Sequence, residues 1–209
     1  MKKINMYLAS QSPRRRELLT QIGVEFSVLA VEVEEQQQSG ELAADYVARL
    51  ARDKAQAGTV VLENANAAQA NTSAAAEYVV LGADTIVVYA GQVLEKPVDE
   101  ADSKRMLSLL SGHEHEVMTA VALADTNRCW VEVVTTQVQF REISATEMHD
   151  YWCTGEPSDK AGSYAIQGIA GKFVSHMSGS YSAVVGLPLM QTEQLIQAFK
   201  AEQNKVMKG

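Results

Sequence analysis

One stretch of the chain places hydroxyl groups and cations at the start of a predicted helix. It covers residues 10–16 and has the sequence SQSPRRR. Ser12 suits the N-cap position and Pro13 the first helical position. Free backbone NH groups, the helix dipole and nearby side chains would together bind a polyanion. Those side chains are Ser10, Arg14 and Arg15. The alternative, a capped surface helix with a solvated basic patch, is at least as common for such a motif alone.

An acidic residue lies inside an apolar run. Residues 78–89 (YVVLGADTIVVY) predict a buried strand, and Asp84 lies near its centre. A buried carboxylate is costly unless it is paired, binds a metal or faces a cleft. Gly82 would allow a ligand or a second backbone to approach closely. Two roles stay open for Asp84: a structural acid satisfied by backbone NH groups or by Thr85, and a general base or metal ligand.

Three further charged side chains occupy positions where a cleft could form. Lys54 continues the apolar row of a helix predicted from Glu41 onward, so it either extends to solvent or lines a cleft. Lys96 follows a predicted hairpin, and Glu35 follows a strand predicted over residues 26–33. Open α/β sheets bind ligands at strand ends, although such turns are also common as solvated loops.

A glycine-containing loop carries two more candidates, Lys160 and Gln167. Both lie in the sequence DKAGSYAIQG, residues 159–168. Glycine permits unusual backbone conformations and close contacts. The amide of Gln167 can donate and accept hydrogen bonds, as contact with the edge of a base requires. A role in stabilising the turn is equally open on local grounds.

Two other clusters are set aside. His113-Glu114-His115 follows a helix-stop glycine, where such a group is more often a polar surface than a metal site. His149 and Cys153 share a helix face, but the sequence indicates no third partner for them. Neither GxxxxGK[ST] nor GxSxG occurs, so the P-loop and α/β-hydrolase classes lack their defining residues.

The elements that must position these residues alternate between strands and helices. Strands are predicted over residues 4–9, 26–33, 78–89, 92–94, 117–124, 130–140 and 173–177. Helices are predicted over 13–22, from 41, from 99 to 112, from 144 to 155, and from 187 onward. Hairpins interrupt strict βαβ alternation, so the order predicts an α/β fold with a mixed sheet. Residues 58–77, rich in Ala, Asn, Ser and Thr, are predicted to form a surface excursion.

The whole chain limits the classes of partner. Its 209 residues predict a single domain over residues 1–209, with room for two lobes around a cleft. A net charge of -8 and a pI near 5.0 argue against binding nucleic acid, so the basic patch suits a small anion. The two distant cysteines, Cys129 and Cys153, predict neither a disulfide framework nor a zinc site. With no signal peptide and no membrane span apparent, we expect a cytoplasmic protein.

Taken together, these motifs resemble the Maf family of nucleoside triphosphate pyrophosphatases from about Tyr7 to Leu195. The motifs are LASQSPRRREL (8–18), the Glu34-Glu35 turn, ARDKA (51–55), LGADT (81–85), LEKP (94–97), LSGHEHEVMTAV (110–121), DKAGSYAIQG (159–168) and GSYSAVVGLPL (179–189). Arg14, Thr85 and Gln167 resemble the pattern of the subgroup directed at dTTP and UTP. A related branch that acts on 7-methyl-GTP typically differs at these positions. Residues 58–77 are expanded relative to the family.

The resemblance implies hydrolysis between the α and β phosphates, giving a nucleoside monophosphate and pyrophosphate, with Mg²⁺ or Mn²⁺ as cofactor. It implies a mixed twisted sheet flanked by helices around a central nucleotide-binding cleft, and a homodimer. The implied catalytic residues are Asp84 as proton acceptor, Lys54 and Lys96. The implied substrate-binding residues are Ser10, Arg14, Arg15, Thr85, Lys160 and Gln167. The implied metal ligands are Glu35 and Asp84.

Two alternatives stay open. The same scission could act on another base, such as 7-methyl-GTP or an inosine-type nucleotide. A protein of a different class, a nucleotide-binding regulator of cell division and septum formation, would need the phosphate site but not base recognition.

Overall fold

A computed structural model describes residues 5–68 and 78–206 of the chain. Within these ranges the strands are β1 (Asn5–Leu8), β2 (Ser27–Val28), β3 (Tyr78–Tyr89), β4 (Gln92–Leu94), β5 (Glu114–Ala124), β6 (Cys129–Phe140) and β7 (Val174–Ser178). The α-helices are α1 (Pro13–Gln21), α2 (Ala43–Ala68), α3 (Glu100–Leu110), α4 (Ala145–Cys153), α5 (Tyr181–Val185) and α6 (Leu189–Val206). The elements follow the predicted order, except that the sequence pattern does not predict α5.

All seven strands form one mixed sheet. Its main path is β2-β1-β3-β5-β6-β7, and β4 pairs with β3 off this path. The pairs of β1 with β2 and with β3 are parallel, whereas the other pairs are antiparallel. Helices pack against the sheet, so the predicted α/β fold with a mixed sheet flanked by helices is confirmed. No helix within the two described ranges is long and apolar enough to cross a membrane.

One edge of β3 is divided between two partners. β5 pairs with the other edge of β3 without interruption, from Val80 to Val88. On the divided edge, β1 pairs with β3 only as far as Leu81, and β4 pairs from Val87 onward. Residues 82–86 therefore have no strand partner on this side in the described structure, and Asp84 lies at the middle of this gap. The gap explains how an acid can occur inside an otherwise buried strand.

The two faces of the sheet pack against different helices. Side chains alternate between faces along a strand. On one face, Ile86 and Val88 of β3 pack against α2. On the other face, Leu81 of β3 packs with α1 and α6, while a cluster around Phe140 and Phe173 joins α3 and α4 to the sheet.

The helix α2 is longer than predicted. It continues from Ala43 to Ala68, so the prediction of a surface excursion from residue 58 is wrong for residues 58–68; residues 69–77 lie outside the described ranges. Alanine is the best helix former, and extending an existing helix is easier than starting one. Gly58 and Thr59 are still buried against the sheet, which ties the extension to the core.

The second strand is shorter than predicted. Only Ser27–Val28 pairs with β1, and the prediction of a strand over residues 26–33 is wrong beyond that. β1 is itself four residues long, and after the bond from the Leu29 NH to the Leu8 carbonyl (2.9 Å) it offers no further partner. The chain then leaves the sheet and reaches Glu35 at the cleft.

Candidate active site

All ten side chains predicted for the site line one cleft of about 670 Å³. They are Ser10, Arg14, Arg15, Glu35, Lys54, Asp84, Thr85, Lys96, Lys160 and Gln167. A volume of this size is typical of a small-molecule or cofactor site. The structure thus brings these residues together from α1, α2, β3 and four connecting segments, while their individual roles stay predictions.

The start of α1 forms part of the cleft. Pro13 takes the first helical position as predicted, and Ser12 takes the N-cap position, but its side chain makes no capping bond. Instead, the Ser12 NH donates to Oγ of Ser10 at 3.3 Å. The predicted N-cap position of Ser12 is therefore confirmed, although its hydroxyl makes no capping hydrogen bond.

The guanidinium of Arg15 is fixed by three protein groups. Nε donates to the carbonyl of Gly186 at 2.9 Å, Nη1 to Oγ of Ser10 at 3.2 Å, and Nη2 to Oγ1 of Thr85 at 3.5 Å. Burial lowers the pKa of Arg15, although the charge of Asp84 acts in the opposite direction. Arg15 therefore holds the loop after β1 against β3 and the end of α5.

A chain of hydroxyl groups extends this network. The Thr119 hydroxyl donates to the carbonyl of Ala183 at 2.7 Å, and it lies 3.0 Å from the Thr85 hydroxyl. Because a hydroxyl carries one proton, Thr119 must accept the hydrogen bond from Thr85. Thr85 in turn accepts from Arg15. Thr119 was not predicted as a site residue, although it lies within the LSGHEHEVMTAV motif.

Lys54 and Asp84 form a buried ion pair. Each residue is 8% exposed, and Lys54 Nζ lies 2.5 Å from Oδ1 of Asp84. Gly82 makes this approach possible, since a Cβ there would lie 2.3 Å from the Ala51 carbonyl oxygen of α2. Of the two predicted environments for Lys54, the structure shows the cleft. Asp84 is paired with Lys54, whereas the Thr85 hydroxyl is used by Thr119.

Glu35 connects the two lysines of the cleft. Its Oε1 lies 2.6 Å from Nζ of Lys54, and its Oε2 lies 3.1 Å from Nζ of Lys96. Burial acts to raise the pKa of Glu35, but the hydrogen bonds and charges of Lys54 and Lys96 outweigh it and lower that pKa to about 2. The cluster of Asp84, Lys54, Glu35 and Lys96 therefore contains alternating charges.

The carboxylates of Glu35 and Asp84 lie where both could bind one hard divalent cation. Glu35 and Asp84 both contact the same ammonium group, so oxygen atoms from each lie close together. The described part of the chain contains no group of three or more His, Cys, Asp and Glu side chains that could hold a metal. Mg²⁺ is commonly bound by one or two carboxylates together with substrate phosphates. The two carboxylates fit that mode of binding.

A further carboxylate of the cleft, that of Glu95 in the LEKP motif, was not among the predicted site residues. The hydroxyl of Tyr46, on α2, donates to Oε1 of Glu95 at 2.8 Å, and both residues line the cleft. Burial, followed by this hydrogen bond, raises the pKa of Tyr46. The available signal was the tyrosine in an apolar helix row, because a buried phenol normally requires a polar partner.

The loop opposite the α1 start carries Lys160 and Gln167. Lys160 is partly buried and contacts the carboxylate of Asp159. Gln167 is exposed to the cleft and lies in a turn closed by the Gly168 NH, which donates to the Ala165 carbonyl at 3.0 Å. The side chain of Gln167 is thus presented from a defined turn.

The interpretation of the two clusters set aside needs correction. His115 is only 2% exposed, so it is not part of a polar surface. It lies on β5, and its Nε2 is 2.9 Å from the Tyr164 hydroxyl. Burial lowers the pKa of His115 to about 4. His149 does have a second partner besides Cys153, because the Glu100 carboxylate lies 2.7 Å from its Nδ1. That contact joins α3 to α4, which sequence spacing does not show.

Comparison with known proteins places these features in a family context. The family model described as "Maf: Maf-like protein" matches residues 5–199. The chain is 51% identical over 199 residues to a protein of Photobacterium profundum, with 95% of this chain and 98% of the relative covered. It is 53% identical over 199 residues to a protein of Yersinia pestis bv. Antiqua, with 95% of each chain covered. Both relatives are named dTTP/UTP pyrophosphatase.

Proposed function

The chain belongs to the Maf family, and we propose that it hydrolyses dTTP and UTP to the nucleoside monophosphate and pyrophosphate. One observation carries the proposal. Cationic side chains from separate parts of the chain converge on the buried Asp84 in a single cleft, in a protein about half identical to relatives named dTTP/UTP pyrophosphatase. The cleft is large enough for a nucleotide.

Binding of the triphosphate is assigned to the cationic side of the cleft. Phosphoryl transfer depends mainly on positioning and on neutralising charge. Arg14, Lys96 and Lys160 line the cleft and would neutralise the phosphate oxygens. Arg15 has its guanidinium fixed by Ser10, Thr85 and Gly186, so it contributes positive charge without losing side-chain entropy when the substrate binds.

Asp84 is assigned the role of proton acceptor. Its carboxylate lies at the gap in the β3 edge and is held by Lys54 through one oxygen, Oδ1. The remaining oxygen, Oδ2, would accept the proton from a water molecule that attacks the phosphate chain. Lys54 holds the carboxylate in place, and the pyrophosphate leaves with its charge neutralised by Lys96.

The proposed cofactor is Mg²⁺ or Mn²⁺. Glu35 and Asp84 would hold it together with the phosphate oxygens of the substrate. The ion would neutralise charge that develops on those oxygens during scission. Lys54 contacts both carboxylates, and its ammonium can shift toward a phosphate oxygen.

Selection of the base is assigned to Gln167, with Arg14 and Thr85 as the other two positions that match the dTTP/UTP subgroup. Uracil and thymine share an O4 acceptor and an N3 donor, and a glutamine amide can pair with both atoms. Support for this role comes from the position of Gln167 in the same cleft as Asp84. A single domain, a cytoplasmic location and a homodimer stay predictions of the sequence.

A panel of nucleoside triphosphates tests the proposal. The protein is incubated with Mg²⁺ or Mn²⁺ and dTTP, UTP, CTP, GTP, 7-methyl-GTP or inosine triphosphate, and the products are separated by chromatography. We expect pyrophosphate and the monophosphate, with dTTP and UTP turned over fastest. Asp84→Asn, prepared in the same way, controls for a contaminating hydrolase. Release of orthophosphate, or absence of turnover of both dTTP and UTP, would refute the proposal.

A further inference from the structure

Two side chains outside the cleft hold the loop that carries Gln167. Tyr151, in α4, is 1% exposed, and its ring packs edge-on against Phe173 at 5.5 Å. Glu156 begins the 3₁₀ turn Glu156–Asp159 and is partly buried. Neither residue is among those that line the cleft. Their hydrogen bonds nevertheless reach the backbone on both sides of Gln167.

Tyr151 anchors the loop before Gln167. Its hydroxyl donates to Oε1 of Glu156 at 2.7 Å. The same hydroxyl accepts the Ala165 NH at 3.3 Å. Both functions of the hydroxyl are therefore used, the proton by the carboxylate and a lone pair by the loop backbone.

Glu156 anchors the loop after Gln167. Its Oε2 accepts the Ile169 NH at 2.9 Å, and its Oε1 accepts the Ala170 NH at 3.3 Å. Burial acts to raise the pKa of Glu156, but the hydrogen bonds from Ile169, Tyr151 and Ala170 outweigh it and lower that pKa below its usual value. An ionised acceptor makes stronger hydrogen bonds than a neutral one.

The residue next to Gln167 is adapted to this carboxylate. A Cβ added to Gly168 would lie 2.2 Å from Oε2 and 2.4 Å from Oε1 of Glu156. Since the φ of Gly168 is -105°, glycine is needed here for space and not for an unusual backbone conformation. The carboxylate of Glu156 thus lies directly against the turn that presents Gln167.

We propose that Tyr151 and Glu156 are positioning residues that set base selectivity by fixing the turn of Gln167. The inference rests on the proposed function, because it assumes that Gln167 contacts the base. With the backbone anchored on both sides, the amide of Gln167 is held in one orientation before the nucleotide binds, so little ordering entropy is lost. A loosened turn would bind uracil more weakly and would distinguish it less well from cytosine.

Tyr151→Phe and Glu156→Gln test the proposal. Tyr151→Phe keeps the ring and removes both hydrogen bonds of the hydroxyl, whereas Glu156→Gln removes the charge and one acceptor. We expect the KM for UTP to rise about tenfold in each variant, the size expected for loss of one such hydrogen bond. We expect kcat to change less than about threefold, because the phosphate contacts assigned to Arg14, Arg15 and Lys96 lie outside this loop. The preference for UTP over CTP should fall several-fold.

Matched variants control for general destabilisation. Tyr89→Phe removes a tyrosine hydroxyl at the end of β3, where the ring lies beside that of His113. Glu147→Gln removes a carboxylate that also accepts a backbone NH, from Ser144, but at the other end of α4. We expect both variants to keep the wild-type KM and base preference, even where urea unfolding shows that Glu147→Gln is less stable.

Two measurements separate this inference from the proposed function. Amide hydrogen exchange at residues 165–170 should accelerate in Tyr151→Phe and in Glu156→Gln, whether or not a substrate is present. Unchanged exchange, an unchanged KM and preference, or an equal loss of kcat on every base would each overturn the positioning role. If the wild-type protein turns over neither dTTP nor UTP, the proposed function fails, and the selectivity role falls with it.

Discussion

Gly82→Ala should disrupt the candidate site through the packing of a helix. Gly82 faces α2, and an added Cβ would lie 2.3 Å from the Ala51 carbonyl oxygen and 2.6 Å from the Ala55 nitrogen. Both are backbone atoms, so no rotation of a side chain can relieve the contact. These atoms lie in the same turn of α2 as Lys54, whose ammonium binds Asp84 at 2.5 Å.

The size of the effect follows from these distances. A real Cβ is essentially never closer than 3.0 Å to such an atom, so α2 must move away from β3 by at least about 0.7 Å. Overpacking of this kind costs typically about 1–3 kcal/mol in the free energy of unfolding. A misplacement near 1 Å in a catalytic constellation can cost about 100-fold in rate. We therefore expect kcat for UTP to fall about 100-fold, with a smaller change in KM.

Gly58→Ala is the matched control. It overpacks the same contact between α2 and β3, but its Cβ would meet a side-chain atom, Cγ1 of Val80, at 2.6 Å. We expect a comparable loss of stability in urea unfolding and a loss of kcat below about tenfold. Pyrophosphate release at saturating UTP measures kcat. If Gly82→Ala loses as much stability as Gly58→Ala and keeps wild-type kcat, the spacing between α2 and β3 does not control the site.

Three further predictions concern titratable groups. Asp84→Asn should lower kcat by about 10²–10⁴-fold, because a general base is lost. Nucleotide binding, measured by calorimetry, should be retained through the arginine and lysine contacts to the phosphates, and wild-type kcat would exclude Asp84 as the base. The pKa of Glu35 is lowered to about 2 in the folded protein, so its carboxylate stabilises the fold at neutral pH. Glu35→Gln should therefore be less stable than wild type by a constant amount above about pH 4.5. This difference in the free energy of unfolding should shrink as the pH falls through about 2. Urea unfolding at several pH values measures it, and a difference that grows on acidification would contradict the assignment. The pKa of His115 is lowered from 6.5 to about 4 in the folded protein, so between these pH values only the unfolded chain binds the proton. The free energy of unfolding should therefore fall by about 3 kcal/mol from pH 7 to pH 4. His115→Gln should remove this part of the slope, and an unchanged slope would contradict the prediction.

The sequence could predict those parts of the site that depend on local patterns. Lys54 was found because it continues an apolar helix row, and Asp84 because it interrupts an apolar strand. Their pairing could not be found in this way, since residues thirty positions apart meet only through the packing of α2 on β3. For the same reason, the hydrogen bonds from Tyr46 to Glu95 and from Thr119 to Ala183 were not predicted.

Errors in the fold have related causes. Residues 58–68 contain polar residues typical of a loop and also alanines, which favour a helix. The burial of Gly58 and Thr59 against the sheet favours continuation of α2 over a loop. The length of β2 is set by its partner and not by its own apolar residues. His115 was assigned to the surface because an HxH group next to a helix-stop glycine is more often a polar surface, whereas its position on β5 turns it inward.

The divided edge of β3 also determines how the cleft can move. β5 pairs continuously with β3 from Val80 to Val88, on the edge opposite the gap. β6 in turn pairs with β5 along the full length of β5. A hinge that opened the cleft would have to break or bend both of these ladders at the level of Asp84. The cleft is therefore stiff at its base, and conformational adjustment to a ligand falls to the side chains and loops at its rim. If the cleft binds a nucleotide as proposed, we expect its association rate not to depend on the closure of two lobes.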